Sequence, residues 1–269
     1  MDSAPLIALF ALIVALLIGR AVTRERNEFA RFRRLRSTVA RQKVYRRWLI
    51  ESLVVMGGLS AVTLFASASW LSAVLVEAQE LPGIGELRDW FGTDVGSGIA
   101  IGLAVGAVLG FVLPVILLRR TPIEEIPTVG NIRALLPRTR GELPYGLGLA
   151  LSAGVFEELL FRLALPALLF GITGDALLAF AVSSVLFGLL HLYQGPTGIA
   201  AASALGVGFA LLYVVSGSIA LPILAHALID LRSLVVIPVV LGSAWKPRPT
   251  PAPVTPPTSP EPPPAPASE

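Results

Sequence analysis

The chain has 269 residues, of which 54% are hydrophobic and 14% charged, with a mean hydropathy of +0.76. Such a balance excludes a soluble domain of ordinary size and points to a polytopic membrane protein. The lack of cysteine excludes a disulfide framework and a thiolate site, and a net charge of +3 concentrated in two arginine-rich loops reads as orientation and lipid-surface charge, with no case for nucleic acid.

Residues 5–19 form a first apolar run, about 22 Å long if helical. No positive residue precedes it and no small-residue cleavage pattern follows it, so an uncleaved anchor is expected. Residues 20–47 hold eleven Arg or Lys against Glu25 and Glu28, a net charge of +9. The positive-inside rule puts that segment in the cytoplasm and the N-terminus outside. A second span is predicted over 52–76, followed by a loop over 77–94 with five carboxylates and only Arg88, which reads as external. The glycine-rich third span, 96–118, allows close helix packing, and the net-positive loop 119–142 is again cytoplasmic. Spans four to seven are predicted over about 143–170, 175–192, 197–215 and 218–241 from their apolar runs, which leaves the C-terminus inside.

The tail, residues 246–269, contains eleven prolines and no periodic apolar residues, the signature of a solvated, locally extended segment. Its other reading is a ligand strip for a proline-recognition partner. In the basic segment Phe29, Phe32, Leu35 and Val39 recur at helical spacing, which predicts either a helix lying on the anionic inner leaflet or a merely solvated one. The domain plan is an anchor at 1–19, a basic cytoplasmic segment at 20–47, accessory spans and loops at 48–142, a core at 143–243 and a tail at 244–269. The fold class is all-α, a transmembrane bundle of about seven spans with the reactive core in the last four.

The fourth span carries Glu157, Glu158 and Arg162, and the chain's two histidines, His191 and His226, fall in other apolar segments. Each ionisable group at mid-bilayer costs roughly 2.5 to 3.5 kcal/mol on an insertion scale, so three in one span must be hidden inside the protein. On a helix Glu158 and Arg162 share a face and can pair, whereas Glu157 points about 100° away. The unpaired glutamate can act as a general base toward water, provided water reaches it; the bland alternative is a packing network of all three. His191 has Phe187 one turn before it, and His226 has Asp230 one turn after it, where a carboxylate can orient the ring. Either histidine alone reads as a hydrogen-bonded core residue. Both together, with a free glutamate on a third span, read as a converging site.

These residues resemble the motifs of the CPBP intramembrane proteases, also called the CAAX protease and bacteriocin-processing family. EExxxR corresponds to Glu157, Glu158 and Arg162, FxxxH to Phe187 and His191, and HxxxN or HxxxD to His226 and Asp230, in family order within residues 144–241. The resemblance implies a glutamate protease of the membrane with no obligatory cofactor or metal. Glu157 and His191 would activate water for attack on a peptide carbonyl of a membrane-associated or lipidated peptide, while His226 and Asp230 stabilise the oxyanion. Glu158, Arg162 and Phe187 would support them. Many members have asparagine where this chain has Asp230, and an ionised aspartate only accepts hydrogen bonds. Asp230 must therefore be protonated or act through His226. An alternative within the family makes Glu157, His191 and His226 zinc ligands, a usual catalytic set, although the HExxH spacing is absent. The expected location is a prokaryotic plasma membrane, with membrane lipids and a membrane-associated substrate as partners.

Two other classes would use the same residues: a non-catalytic scaffold or bacteriocin-immunity protein of this fold, and a proton-coupled transporter, for which no inverted repeat is evident. Helix depth leaves one tension. If spans four and seven are centred near Glu157 and Asp230, His191 lies roughly 10 Å nearer the cytoplasmic side. A chain break at Gly195 and Pro196, a water-filled funnel or a different span count would close that gap.

Overall fold

The computed structural model describes residues 3–117 and 132–240; the proline-rich tail and most of the loop 119–142 lie outside the described residues. Among the described residues every regular element is helical and none is a strand, as expected of a chain that must satisfy its own backbone in lipid. Among the described residues four helical runs are long and apolar enough to cross a membrane: Ala4–Phe32, Thr38–Gln79, Pro196–Ser216 and Ala220–Val240, with a shorter apolar helix at Ala176–Leu189. The chain is an integral membrane protein of the all-α class.

The first run consists of α1 (Ala4–Arg20), a π-turn at Ala21–Glu25 and α2 (Arg26–Phe32). The anchor and the first part of the basic segment are thus joined in one helical run, and the rest of the basic segment lies beyond a break before Thr38. Phe29 and Phe32 are buried in protein: Phe29 packs on Tyr193, with 5.3 Å between ring centroids, and Phe32 on Tyr45 and Trp48. Two of the four residues read from sequence as the edge of a leaflet-bound or merely solvated helix, Phe29 and Phe32, therefore face the bundle, whereas Leu35 is half-buried and Val39 is exposed on the next helix. That run comprises α3 (Thr38–Glu51), a π-turn at Ser52–Met56, α4 (Gly57–Ser67), a 3-10 turn at Ala68–Trp70 and α5 (Leu71–Gln79). Its 42 residues rise about 63 Å. The hydrocarbon core is only about 30 Å thick, so the charged first turns extend past it. A short helix, α6 (Ile84–Phe91), leads to α7 (Asp94–Leu117).

The second half opens with α8 (Leu143–Glu158), which passes through a π-turn at Leu159–Ala164 into α9 (Leu165–Thr173) and ends at Gly174, whose φ of 68° suits glycine. Then come α10 (Ala176–Leu189), α11 (Pro196–Ser216) and α12 (Ala220–Leu231), and after a π-turn at Arg232–Val236 a last short helix, α13 (Ile237–Val240). α12 runs antiparallel along α8. A Cβ on Gly154 would meet Ala227 at 2.8 Å, and one on Gly146 would meet the Leu234 carbonyl at 2.7 Å. Gly146, Ala150, Gly154 and Glu158 recur every fourth residue and are all buried. One face of α8 is therefore flat enough for α12 to close on it, and that face ends on a carboxylate.

Serine hydroxyls from neighbouring helices donate to carbonyls around the Leu159–Ala164 π-turn: Ser60 to Phe156 (3.1 Å), Ser183 to Phe161 (2.6 Å) and Ser67 to Ala164 (3.3 Å). A widened turn in an apolar setting needs such partners. The run 143–173 rises about 46 Å, whereas the 14 residues of α10 rise about 21 Å. The end of the short helix consequently meets the middle of the long one. This difference in length closes the gap that equal, centred spans leave for His191, and the chain also breaks at Gly195 (φ 84°) before α11.

Within the basic segment lies a buried charge that the sequence does not announce. Arg41 is fully buried, its Nε donating to both Glu142 oxygens at 3.2 and 3.1 Å. Its other nitrogens donate to the Ala134 carbonyl (3.3 Å), the Leu136 carbonyl (3.1 Å) and the Tyr45 hydroxyl (2.8 Å), and the Phe32 ring lies 4.2 Å beneath the guanidinium. Read along the chain, Arg41 is one of eleven cytoplasmic charges and Glu142 a loop residue. Their separation of 101 residues hides the pair.

Candidate active site

Glu158 is fully buried where the small-residue face of α8 meets α12. Its Oε1 lies 2.7 Å from His226 Nδ1 and its Oε2 lies 2.9 Å from Arg162 Nε. The pair between Glu158 and Arg162 expected of helical neighbours is present, and His226 joins it as a second partner of the same carboxylate. His226 is oriented through Nδ1 by Glu158. Asp230, one turn on, has its Oδ2 3.7 Å from His226 Nε2, beyond hydrogen-bond length.

Aromatic rings enclose this charged group. The Arg162 guanidinium carbon stands 4.4 Å above the ring of Phe187 on α10, and the rings of His191 and His226 lie 5.0 and 5.8 Å from the same ring. Phe209 of α11 also lines the group, 5.3 Å from the Arg162 carbon and 5.3 Å from the His226 ring, against which it stacks. Ring faces stabilise a cation that has lost its water. Gly206 makes room for this, since a Cβ there would press on Phe187 at 3.2 Å, and its carbonyl accepts from Arg162 at 3.4 Å. Phe209 is a site residue that sequence reading missed. Its one signal, a glycine a turn before an aromatic in an apolar span, is common to many buried helices.

His191 sits just past the end of α10, with Nδ1 2.9 Å from the Phe187 carbonyl. A carbonyl only accepts, so in the neutral ring Nδ1 carries the proton and Nε2 the lone pair. Asp230 and His226 are within electrostatic reach of His191. Glu157 is half-buried beside Glu158; its charge feels His226, Glu158 and Arg162, but no hydrogen bond or ion pair from a described residue reaches its carboxylate. The fold thus puts Glu158, Arg162, Phe187 and His226 in mutual contact, His191 against Phe187, Asp230 beside His226, and Glu157 one position aside.

The centre is not saturated. Arg162 Nη1 has no hydrogen-bond partner among the described residues, and the short contact between Arg162 Nε and Glu158 Oε2 is not aligned as a hydrogen bond. Among the described residues no group of three His, Cys, Asp or Glu side chains could hold a metal ion.

Fold and centre together define a class: an all-helical integral membrane protein that buries a carboxylate, an arginine and an imidazole among apolar helices. Residues 139–232, about a third of the chain, match the family model described as Type II CAAX prenyl endopeptidase Rce1-like, which agrees with the resemblance to the CPBP, or CAAX protease, family. No curated protein and no solved structure matches the chain.

Proposed function

We propose that the chain is an intramembrane endopeptidase that hydrolyses peptide bonds of membrane-associated or lipidated peptides. The observation that carries this reading is the division between adjacent glutamates. Glu158 is engaged by Arg162 and His226, whereas Glu157 has no hydrogen-bonding or ionic partner among the described residues. A carboxylate left open beside a buried cation can take a proton from water. Glu157 acts as the general base, and His191 offers Nε2 to the same water. Attack on the peptide carbonyl forms a tetrahedral oxyanion, which His226 and Asp230 stabilise when they carry protons. The proton held by Glu157 passes to the leaving amine as the C–N bond breaks. Glu158, Arg162 and Phe187 hold these groups in place, and no cofactor takes part.

The test uses solubilised full-length protein and a library of membrane peptides, with and without a chelator. Cleavage is expected in both arms, and Glu157→Gln is expected to lower turnover by about 10²- to 10⁴-fold with an unchanged Tm. Retained cleavage by that variant sinks the general base. Loss of cleavage with chelator, restored by zinc, would move Glu157, His191 and His226 to the ligand role. A wild-type protein that cleaves nothing in the library would favour a scaffold of the same fold.

Seven spans complete the proposal: the four long apolar runs, α7, the helix 143–173 with its charges turned into the bundle, and α10. The basic segment faces the cytoplasm of a prokaryotic plasma membrane and the N-terminus lies outside, with membrane lipids and the peptide substrate as partners. Because the chain has no cysteine, single cysteines at Arg36 and Glu86 give a clean check. An impermeant maleimide is expected to label position 36 only from the cytoplasmic side and position 86 only from outside; the opposite result reverses the topology.

A further inference from the structure

The matched family segment begins at residue 139, yet Phe29 of the N-terminal helix connects to the candidate site through Tyr193. His191 lies in the connection between α10 and α11, past the last residue of one helix and before the Gly195 break that starts the next. Within this connection the ring is set on one side by Phe187, through the Nδ1 contact of 2.9 Å and a ring separation of 5.0 Å. Tyr193 also stacks on it, 6.1 Å between centroids at 27°. Tyr193 packs in turn on Phe29 of α2, at 5.3 Å, and its hydroxyl accepts from Gln194 Nε2 at 3.0 Å. Phe29 is only 4% exposed, although its helix is rich in arginine. Four rings, Phe29, Tyr193, His191 and Phe187, thus form a column from the basic segment to the buried Arg162.

We propose that Tyr193, braced by Phe29, is a positioning residue for His191, so that the N-terminal helix is part of the working site. A short connection holds a side chain to a productive geometry only if other elements brace it. Helix α10 supplies one brace through its own backbone, and α2 supplies the other through Phe29 and Tyr193. The proposal rests on the reading of His191 as a participant in water activation.

Three full-length variants, Phe29→Ala, Tyr193→Ala and Tyr193→Phe, separate this from a packing role. With a library peptide that the wild type cleaves, the two alanine variants are expected to lose about 10- to 100-fold in kcat, the scale of a small misplacement, with KM unchanged. Tyr193→Phe keeps the ring and is expected to keep the rate. A second readout does not depend on activity: carbethoxylation of the two histidines by diethyl pyrocarbonate, resolved by mass spectrometry. His191 is expected to react faster in both alanine variants and His226 to stay as in the wild type. Unchanged kcat with unchanged His191 reactivity overturns the proposal, as does an equal rise at His226, which would mean general loosening. If the wild type cleaves no peptide while His191 alone becomes more reactive, the protease reading fails and the brace on His191 stands.

Discussion

Two buried arginines on opposite halves of the chain are built alike and finished differently. Arg41 and Arg162 each face a fully buried glutamate and each lie over aromatic rings. Around Arg41 all three guanidinium nitrogens donate, and Glu142 also accepts from the Arg138 amide at 2.9 Å. Around Arg162 two nitrogens, Nε and Nη1, have no hydrogen-bond partner among the described residues, the carboxylate is shared with a histidine, and a second glutamate stands open beside it. A closed network fastens the basic segment to the loop before α8. An open one keeps polar capacity for something that arrives later, and unsatisfied buried groups in native proteins call for such an explanation.

The sharpest way to break this comparison is to make the same change in both centres. Glu142→Gln and Glu158→Gln each leave a buried arginine without its counter-charge, at a cost of about 3 to 5 kcal/mol, read as a fall in Tm in detergent. Only Glu158→Gln is expected also to lower the kcat of the molecules that remain folded, because it weakens the hold on His226. Equal kcat losses in the two variants would erase the distinction between a fastening and a working centre.

A smaller effect tests the close approach that brings His226 to Glu158. Gly154→Ala puts a methyl group 2.8 to 3.0 Å from Ala227, an overpacking worth about 1 to 3 kcal/mol, and is expected to lower both Tm and turnover. Gly208→Ala is the control, since a Cβ there meets nothing within 4 Å. If both behave alike, the register of α12 on α8 does not govern the site.

The smallest expected change is Asp230→Asn. Because Glu158 orients His226 and the Asp230 contact is 3.7 Å, the amide is expected to keep or raise turnover, with any loss below roughly fivefold, or about 1 kcal/mol. An amide donates at any pH, so activity should also persist to higher pH than in the wild type. A pH–rate profile in which Asp230→Asn is uniformly inactive would give Asp230 the anionic, ring-orienting role.

Local pattern alone determined that this is a helical membrane protein, since long apolar runs leave the backbone no other way to meet its hydrogen bonds. It also singled out the candidate site residues and determined that Glu158 pairs with Arg162, because neighbours four apart on a helix meet whatever surrounds them. The small-residue ladder Gly146, Ala150, Gly154 and Glu158 was equally visible and would have pointed Glu158, rather than Glu157, at another helix. Tertiary structure alone decided that His226, 68 residues away, binds Glu158, that Phe209 packs on the cation beside Phe187, that Arg41 finds Glu142, and that Phe29 packs on Tyr193. Such contacts depend on how far helices of unequal length slide past one another and how closely glycine lets them approach, and no single helix's periodicity contains that information.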